Sequence, residues 1–314
     1  MDTKTSMRDA IIDELYHLSE QDKDIVIVSA DMGAPALDRY RRDRNAQYIN
    51  VGIAEQSMIN IAAGLAKEGK RPFTFCIAPF ATSRVHEFIK INAGVMKLPF
   101  NILAVGAGFS YEDSGPTHHT TEDIAILSPI PHLEIYSPSD SIAATALVKQ
   151  ACYSNSPTYH RLDRQVQPQI YSGKNKFERG FEKIDSDDSN KKYDVAIIAT
   201  GNIVHNAIKA KRILASKKID ISVIDIYRIK PFPKELSKTL SQFKYIVSLE
   251  EHLLRGGLGS ILAEIICDEK IPVRLKRLGI DNEYPYAYGR ESIQHRFGLD
   301  SKFISKTIEY LLKE

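Results

Sequence analysis

The chain has 314 residues, of which 43% are hydrophobic and 26% charged, a composition typical of a globular protein with two domains. Its net charge of +2, from 42 basic and 40 acidic residues, provides no strong field for nucleic acid or an anionic membrane. The N-terminal residues lack an apolar signal segment and no apolar run approaches a membrane span, so we expect a cytoplasmic protein. The scattered Cys76, Cys152 and Cys267 predict buried thiols and no metal site.

Apolar runs typical of strands alternate with stretches of helical periodicity in the first half of the chain. The predicted strands are residues 24–29, 73–77, 101–105, 133–136 and 158–162, and the predicted helices are residues 5–19, 54–67, 81–96 and 139–151. This alternation predicts an α/β fold with a doubly wound parallel sheet over residues 1–165.

A change of composition separates this pattern from a second one. Residues 166–192 are rich in Pro, Gly, Lys, Asp and Ser, which predicts a linker. Strand-like runs at residues 195–201, 221–226 and 245–249, with a helix near residues 302–312, then predict a smaller α/β domain over residues 193–314.

One carboxylate lies in an apolar turn between a strand-like and a helix-like run, namely Glu55 within residues 51–56. A carboxylate buried there takes up a proton or finds a partner, and proton chemistry uses carboxyl groups tuned in this way. The residues alone equally allow a glutamate that satisfies the amides of a helix N-terminus.

Several polar or aromatic residues follow predicted strand ends, namely Asp31, Glu55, Phe80, Arg164 and the loop of residues 106–118. Ligands of open parallel sheets lie beyond the carboxyl ends of the strands. We therefore expect these residues to share one rim of the sheet.

Four blocks of sequence occur in the order and spacing found in the second half of transketolases. They are Gly-Ile-Ala-Glu-Gln at residues 52–56, Gly-Pro-Thr-His at residues 115–118, residues 133–138, and Arg-Leu-Asp-Arg-Gln at residues 161–165. The chain resembles the pyrimidine-binding and C-terminal domains of that family over nearly its whole length. The resemblance implies thiamine diphosphate as cofactor, with Glu55 as the catalytic residue that contacts its aminopyrimidine. It also implies transfer of a two-carbon ketol unit between sugars, which we expect to be phosphorylated.

The resemblance extends to other residues of the cofactor site. Phe80 stands where an aromatic ring packs against the pyrimidine, and His86 stands where a further ring is usual, although a helix-face histidine without a role fits equally well. Asp31 matches an aspartate that helps to form the cofactor pocket at a subunit interface, and a plain turn aspartate is the alternative.

The resemblance also suggests substrate contacts. His118 is expected to be catalytic and to face the substrate, whereas His119 is expected to be solvent-exposed or structural. Arg164 matches a phosphate-binding arginine. Arg8 lies near the position of another, although a surface role is as consistent.

Two departures from the family pattern concern the sugar. Ser114 stands where the family has an aspartate that reads the donor's hydroxyl configuration. Gly106 stands where a histidine commonly touches sugar or phosphate. We therefore expect Ser114 to face a donor of unusual structure, and the identity of that donor stays open.

The sequence contains no Gly-Asp-Gly motif, which binds a divalent metal and the diphosphate in the N-terminal domain of full-length transketolases. We therefore expect a partner subunit to supply that domain and to hold Mg²⁺ or Ca²⁺, in an α2β2-type heterotetramer. One alternative is the β subunit of a 2-oxo acid dehydrogenase's decarboxylating component, although such chains usually carry Gly-His-Ser-Gln in place of Gly-Pro-Thr-His-His. The other is a non-catalytic scaffold subunit, against which the presence of Glu55 argues.

Overall fold

The computed structural model describes residues 5–184, 192–286 and 289–313. The first half supplies strands β1 (Ile25–Ser29), β2 (Tyr48–Asn50), β3 (Arg71–Ile77), β4 (Asn101–Val105), β5 (Glu134–Tyr136) and β6 (Thr158–Leu162). Its helices are α1 (Met7–Gln21), α2 (Pro35–Asp43), α3 (Glu55–Lys67), α4 (His86–Ile89), α5 (Asp123–Leu127) and α6 (Ser141–Cys152). Short 3₁₀ turns cover Asn45–Gln47 and Ser83–Val85, and a π-helical segment covers Lys90–Val95.

The second half is built in the same way. Its strands are β7 (Phe181–Lys183), β8 (Val195–Ala199), β9 (Ser222–Ile226), β10 (Arg228–Lys230), β11 (Tyr245–Leu253) and β12 (Arg274–Ile280). Its helices are α7 (Val204–Ser216), α8 (Lys234–Leu240), α9 (Leu258–Asp268), α10 (Arg290–Arg296) and α11 (Ser301–Leu311), with a 3₁₀ turn at Gly201–Ile203. None of the helices in the described ranges is long and apolar enough to cross a membrane.

The first sheet has the strand order β10-β5-β6-β4-β3-β1-β2 within the described residues. Strands β1 to β6 pair in parallel, and only β10 is antiparallel, on β5. Every residue of β1, β4 and β6 is buried, as expected for parallel strands covered on both faces. The predicted doubly wound parallel sheet is therefore confirmed.

The order of this sheet changes direction between β1 and β3. Strand β1 leads to its neighbour β2 on one side, whereas β3 leads to its neighbour β4 on the other. The connections that follow two adjacent strands thus diverge, which opens a crevice at their carboxyl ends.

The second sheet, in the part of the chain that is described, has the order β12-β11-β8-β9-β7 and is parallel apart from β7. Strand β7 lies inside the segment that the sequence predicts as a linker. Tyr171 and Phe177 of that segment are buried and their rings meet edge to face at 4.9 Å, so these two residues of the predicted linker belong to a hydrophobic cluster. Residues 185–191 of the predicted linker lie outside the described residues.

The single helix predicted over residues 81–96 is wrong in detail. The chain instead forms the 3₁₀ turn, the short helix α4 and the π-helical segment in succession. Within this stretch the buried Asn92 donates from Nδ2 to the carbonyl of Phe88 and to Oδ1 of Asn60, at 2.9 Å each. The segment is thereby joined to α3.

Candidate functional site

A cavity of about 310 Å³ opens at the point where the order of the first sheet changes direction. Its lining includes Asp31 after β1, Glu55 at the start of α3 and Phe80 after β3, together with Ile53 and Tyr111. The structure therefore brings three of the residues expected at the rim into one cavity.

Asn50 holds two of the cavity's loops together. Its Oδ1 accepts hydrogen bonds from the backbone N–H groups of Asp31 and Gly52, at 3.1 and 2.9 Å, while its Nδ2 donates to Oδ1 of Asp31 at 3.0 Å. Asp31 has a φ of 52°, a left-handed conformation that aspartate tolerates better than most residues. Its position is thus fixed by the neighbouring strand end.

Glu55 is the first residue of α3 and only 6% exposed. Its Oε1 accepts a hydrogen bond from Nη1 of Arg84 at 2.9 Å. The pair supplies the partner that a buried carboxylate requires. Sequence reasoning missed Arg84, although it lies only four residues after Phe80.

Phe80 lies between a cation and an imidazole. The Cζ atom of Arg84 lies 3.9 Å from the centroid of the Phe80 ring. The His118 ring meets Phe80 edge to face, with the centroids 5.3 Å apart, and lies 5.8 Å from the ring of Tyr111. Nδ1 of His118 is 2.9 Å from the hydroxyl of Thr117, so the predicted catalytic imidazole stands at the cavity's edge in a defined orientation.

Gly106 makes room for Tyr111. A Cβ atom at this position would lie 2.5 Å from the Tyr111 ring, and the φ of Gly106 is 114°. A histidine here, as in the family pattern, would collide with that ring. Tyr111 itself was missed, because nothing local in the sequence separates it from the other tyrosines.

Arg164 and Arg8 both approach Tyr111. The exposed Arg164 has its Cζ atom 4.8 Å from the centroid of the Tyr111 ring. Burial raises the pKa of Tyr111, and the charges of Arg164 and Arg8 oppose that rise. Arg8 already forms a two-pronged ion pair with Asp9, at 2.8 and 3.1 Å, which lowers the pKa of Asp9 against the effect of burial.

Three other residues singled out from the sequence stand apart from the cavity lining. Ser114 is exposed and hydrogen-bonds to Asp113 at 3.3 Å. His86 is half-buried at the start of α4, and its buried Nδ1 has no hydrogen-bond partner among the described residues. His119 is 1% exposed and packs edge-on against Phe109, and burial lowers its pKa, so it is structural rather than solvent-exposed.

The second half of the chain braces the loop that carries Tyr111 and His118. Glu251 accepts hydrogen bonds at Oε2 from the backbone of Phe109 at 3.2 Å and from Arg290 at 2.6 Å. Arg290 also pairs with Asp163 at 2.7 Å, and its backbone N–H donates to Glu112 at 2.7 Å. Burial would raise the pKa of Glu251, but Arg290 holds it below the usual value.

The described ranges contain no group of three or more His, Cys, Asp or Glu side chains that could hold a metal ion. The thiol that lines the cavity, Cys76, is also a poor ligand, because burial and the nearby Glu55 raise its pKa to about 12.

A larger cavity of about 710 Å³ lies between β12 and α11. It contains none of the site residues expected from the sequence. The smaller cavity is the better candidate, because it lies where open parallel sheets bind ligands and contains a buried carboxylate.

Comparison with known proteins gives two family matches. Residues 3–169 match the transketolase pyrimidine-binding domain, and residues 187–304 match the transketolase C-terminal domain. An apulose-4-phosphate transketolase subunit of Phocaeicola vulgatus is 34% identical over 98% of this chain and 97% of its own length. The 6-deoxy-6-sulfo-D-fructose transketolase subunit SqwH of a Clostridium species is 32% identical, over 95% and 92% of the two chains.

The solved structures agree with these relatives. A split-gene transketolase, described as an inactive β4 tetramer, matches with a TM-score of 0.85 and 28% identity over 98% of both chains. The resemblance inferred from the four sequence blocks is confirmed. This chain therefore belongs to the transketolase family and is a transketolase-type transferase subunit that combines the pyrimidine-binding and C-terminal domains.

Proposed function

We propose that the cavity at the change of strand order binds the aminopyrimidine of thiamine diphosphate. The observation that carries this proposal is the buried Glu55 carboxylate at the start of α3, beside the Phe80 ring and a cavity large enough for one such ring. The bound cofactor supplies the carbon nucleophile that carries a two-carbon ketol unit between sugars. Glu55 holds a proton at the ring nitrogen, Phe80 gives the ring an apolar contact, and Asp31 closes the cavity's edge.

His86 has a lesser role in this proposal. It does not line the cavity, but it begins the helix that follows Phe80 and Arg84. Its buried Nδ1 is therefore available to hydrogen-bond a group that cofactor binding brings into the site.

The substrate side of the site lies where His118 meets Phe80. His118 is positioned to hydrogen-bond a sugar hydroxyl and to move a proton there. Arg164, exposed and stacked on Tyr111, presents a guanidinium to the terminal anionic group of a sugar. Arg8 is a second candidate contact, which would have to exchange its ion pair with Asp9 for the substrate. Ser114 offers a hydroxyl in place of a carboxylate.

The names of the relatives support an anionic donor of unusual structure. Those names contain apulose 4-phosphate and 6-deoxy-6-sulfo-D-fructose, sugars that bear a phosphate and a sulfonate. Both groups have oxygens that a guanidinium can contact in pairs. We therefore propose a ketose donor with a terminal phosphate or sulfonate.

The cofactor site requires a partner subunit that holds the diphosphate and Mg²⁺ or Ca²⁺. Exposed apolar side chains beside the cavity support this, with Ile53 82% exposed at its lining. We use the name partner face for the exposed residues of α3 and the π-helical segment, namely Ile61, Ile91, Val95 and Met96. Contiguous exposed apolar groups of this kind mark association surfaces. The assembly is an α2β2-type heterotetramer, and its free cysteines suit the reducing cytoplasm.

The test is Glu55→Gln in the complex reconstituted with a subunit that carries the Gly-Asp-Gly motif. An amide is a poor proton partner for the ring nitrogen, so turnover should fall about a hundredfold or more while cofactor affinity is largely kept. Glu68→Gln, at the exposed far end of α3, is the matched control. Steady-state kinetics and calorimetric titration with thiamine diphosphate measure both quantities. Near-wild-type turnover of Glu55→Gln would refute the assignment.

A further inference from the structure

Arg84 contacts both residues that the proposed function assigns to the aminopyrimidine. Its Nη1 donates to Glu55 Oε1 at 2.9 Å, and its Cζ lies 3.9 Å from the centroid of the Phe80 ring. The side chain is 44% exposed, so it reaches the site from the solvent side. It follows Phe80 in the 3₁₀ turn Ser83–Val85.

A guanidinium and a ring-protonated aminopyrimidine have the same recognition chemistry. Each is planar and cationic, carries N–H donors at its edge and stacks on an aromatic face. Glu55 offers Oε1 to Arg84, and the ring face that Arg84 covers is no longer open to another planar group. The arginine and the cofactor ring therefore compete for the same contacts.

We propose that Arg84 masks the Glu55 carboxylate and the Phe80 ring at the edge of the aminopyrimidine subsite in the unliganded chain, and that cofactor binding displaces it. This inference rests on the proposed function. While the subsite is empty, the guanidinium balances the charge of the buried Glu55 and covers Phe80, which keeps the site folded. Because the Arg84 side chain is long and half-exposed, it rotates away from the site when the aminopyrimidine ring binds. The ring then replaces the guanidinium as the partner of Glu55 and Phe80.

The first test uses a probe that needs only this chain, 4-amino-5-hydroxymethyl-2-methylpyrimidine, which has the cofactor's ring without its diphosphate. Arg84→Met keeps the apolar stem but removes the cation and its donors. Removal of a half-exposed ion pair and a cation–π contact from the competing state should raise the probe's affinity about three- to thirtyfold. NMR titration of the isolated wild-type and variant chains measures this change.

Arg41→Met is the matched control. Arg41 is also exposed, but its ion pair is with Asp38 at 3.1 Å and it lies over the ring of Tyr48, whereas Arg84 contacts Glu55 and Phe80. Its substitution should leave probe affinity unchanged. Arg84→Gln serves as a second variant if Arg84→Met folds poorly by circular dichroism. In a Glu55→Gln background the gain from Arg84→Met should shrink, because the ion pair is already absent.

The second test is a calorimetric titration of the reconstituted complex with thiamine diphosphate, in which Arg84→Met should bind more tightly by a similar factor. Unchanged or weaker binding by the Arg84 variants in both titrations would overturn the inference. Unchanged binding would mean that Arg84 does not affect the ligand, and weaker binding would mean that Arg84 contacts it. That result leaves the proposed function intact if the wild-type complex binds the cofactor. Absence of cofactor binding by every form of the complex would instead refute the proposed function.

Discussion

Two arginines flank the aromatic residues of the site and have different surroundings. Both are exposed, but Arg84 lies on Phe80 and pairs with the buried Glu55, whereas Arg164 lies on Tyr111. A cation held by a carboxylate is already neutralised, while an exposed cation on an aromatic ring keeps its field for an incoming anion. This difference supports the proposal that Arg84 belongs to the cofactor side of the site and Arg164 to the sugar side.

The role of Arg164 gives a prediction about substrate specificity. Arg164→Ala should lower kcat/KM for a phosphorylated donor about 10- to 150-fold, which is the loss of a charge-assisted contact of about 1.5–3 kcal/mol. The matched donor without phosphate should be affected much less, and Arg164→Lys should recover part of the loss. Arg179→Ala is the control, because Arg179 is likewise exposed and lies 4.6 Å from the ring of Phe181. Equal losses on both donors would show that Arg164 does not read the anion.

At the scale of elements, the central strands were predictable and the edges were not. Strands β1, β4 and β6 are buried throughout, so their apolar runs were visible in the sequence. The edge strand β10 is short and carries Arg228 and Lys230, and its pairing with β5 depends on a segment far away in the chain. Local periodicity contains no information about such a contact.

The site shows the same division. Glu55, Phe80 and Asp31 were expected at one rim because each follows a strand-like run, and all three line one cavity. The ion pair of Glu55 with Arg84 joins two different loops, and the close approach of Tyr111 to Gly106 depends on the fold of a third. Contacts of this kind arise from tertiary packing, which the order of strands does not specify.

Strand β6 contains a histidine that gives the fold a pH dependence. His160 is fully buried, its ring stacks on Tyr136 with the centroids 5.1 Å apart, and its Nε2 lies 2.9 Å from the Thr158 hydroxyl. Burial lowers the pKa of His160 to about 3. Below the ordinary histidine pKa of about 6.5 the unfolded chain gains a proton that the folded chain refuses. The contribution of neutral His160 to the free energy of unfolding is therefore complete above about pH 6.5 and is lost as the pH falls toward 3.

We expect His160→Phe, which keeps a ring against Tyr136, to reduce the pH dependence of the free energy of unfolding. Between pH 6.5 and 4 the decrease in the free energy of unfolding should be smaller than in the wild type by about 1.4 kcal/mol per pH unit. Urea denaturation at pH 4.5, 5.5 and 7.5 gives the slopes. The exposed His17→Phe is the control and should keep the wild-type slope. A slope for His160→Phe equal to that of the control would mean that His160 is protonated in the folded chain.

At the scale of the whole molecule, the two sheets form one support for the site. Strand β10 completes the first sheet with residues from the second half, and Arg290 joins Asp163 and Glu251 across the two halves. This network lies directly behind the loop of Tyr111 and His118. The second half of the chain thus braces the loop that we propose for the sugar side of the site.

The last prediction concerns assembly through the partner face. Ile91 is 44% exposed on the π-helical segment, which Asn92 joins to α3 by a hydrogen bond to Asn60. A lysine at this position would bring an unpaired charge into an apolar contact, so Ile91→Lys should weaken binding of the diphosphate-binding subunit about 30-fold or more. Calorimetric titration of one subunit with the other measures this, and cofactor affinity should fall in parallel because half of its ligands are lost. Leu312→Lys, with 39% exposure at the end of α11, should bind the partner normally. Normal association of Ile91→Lys would place the partner on another surface of the chain.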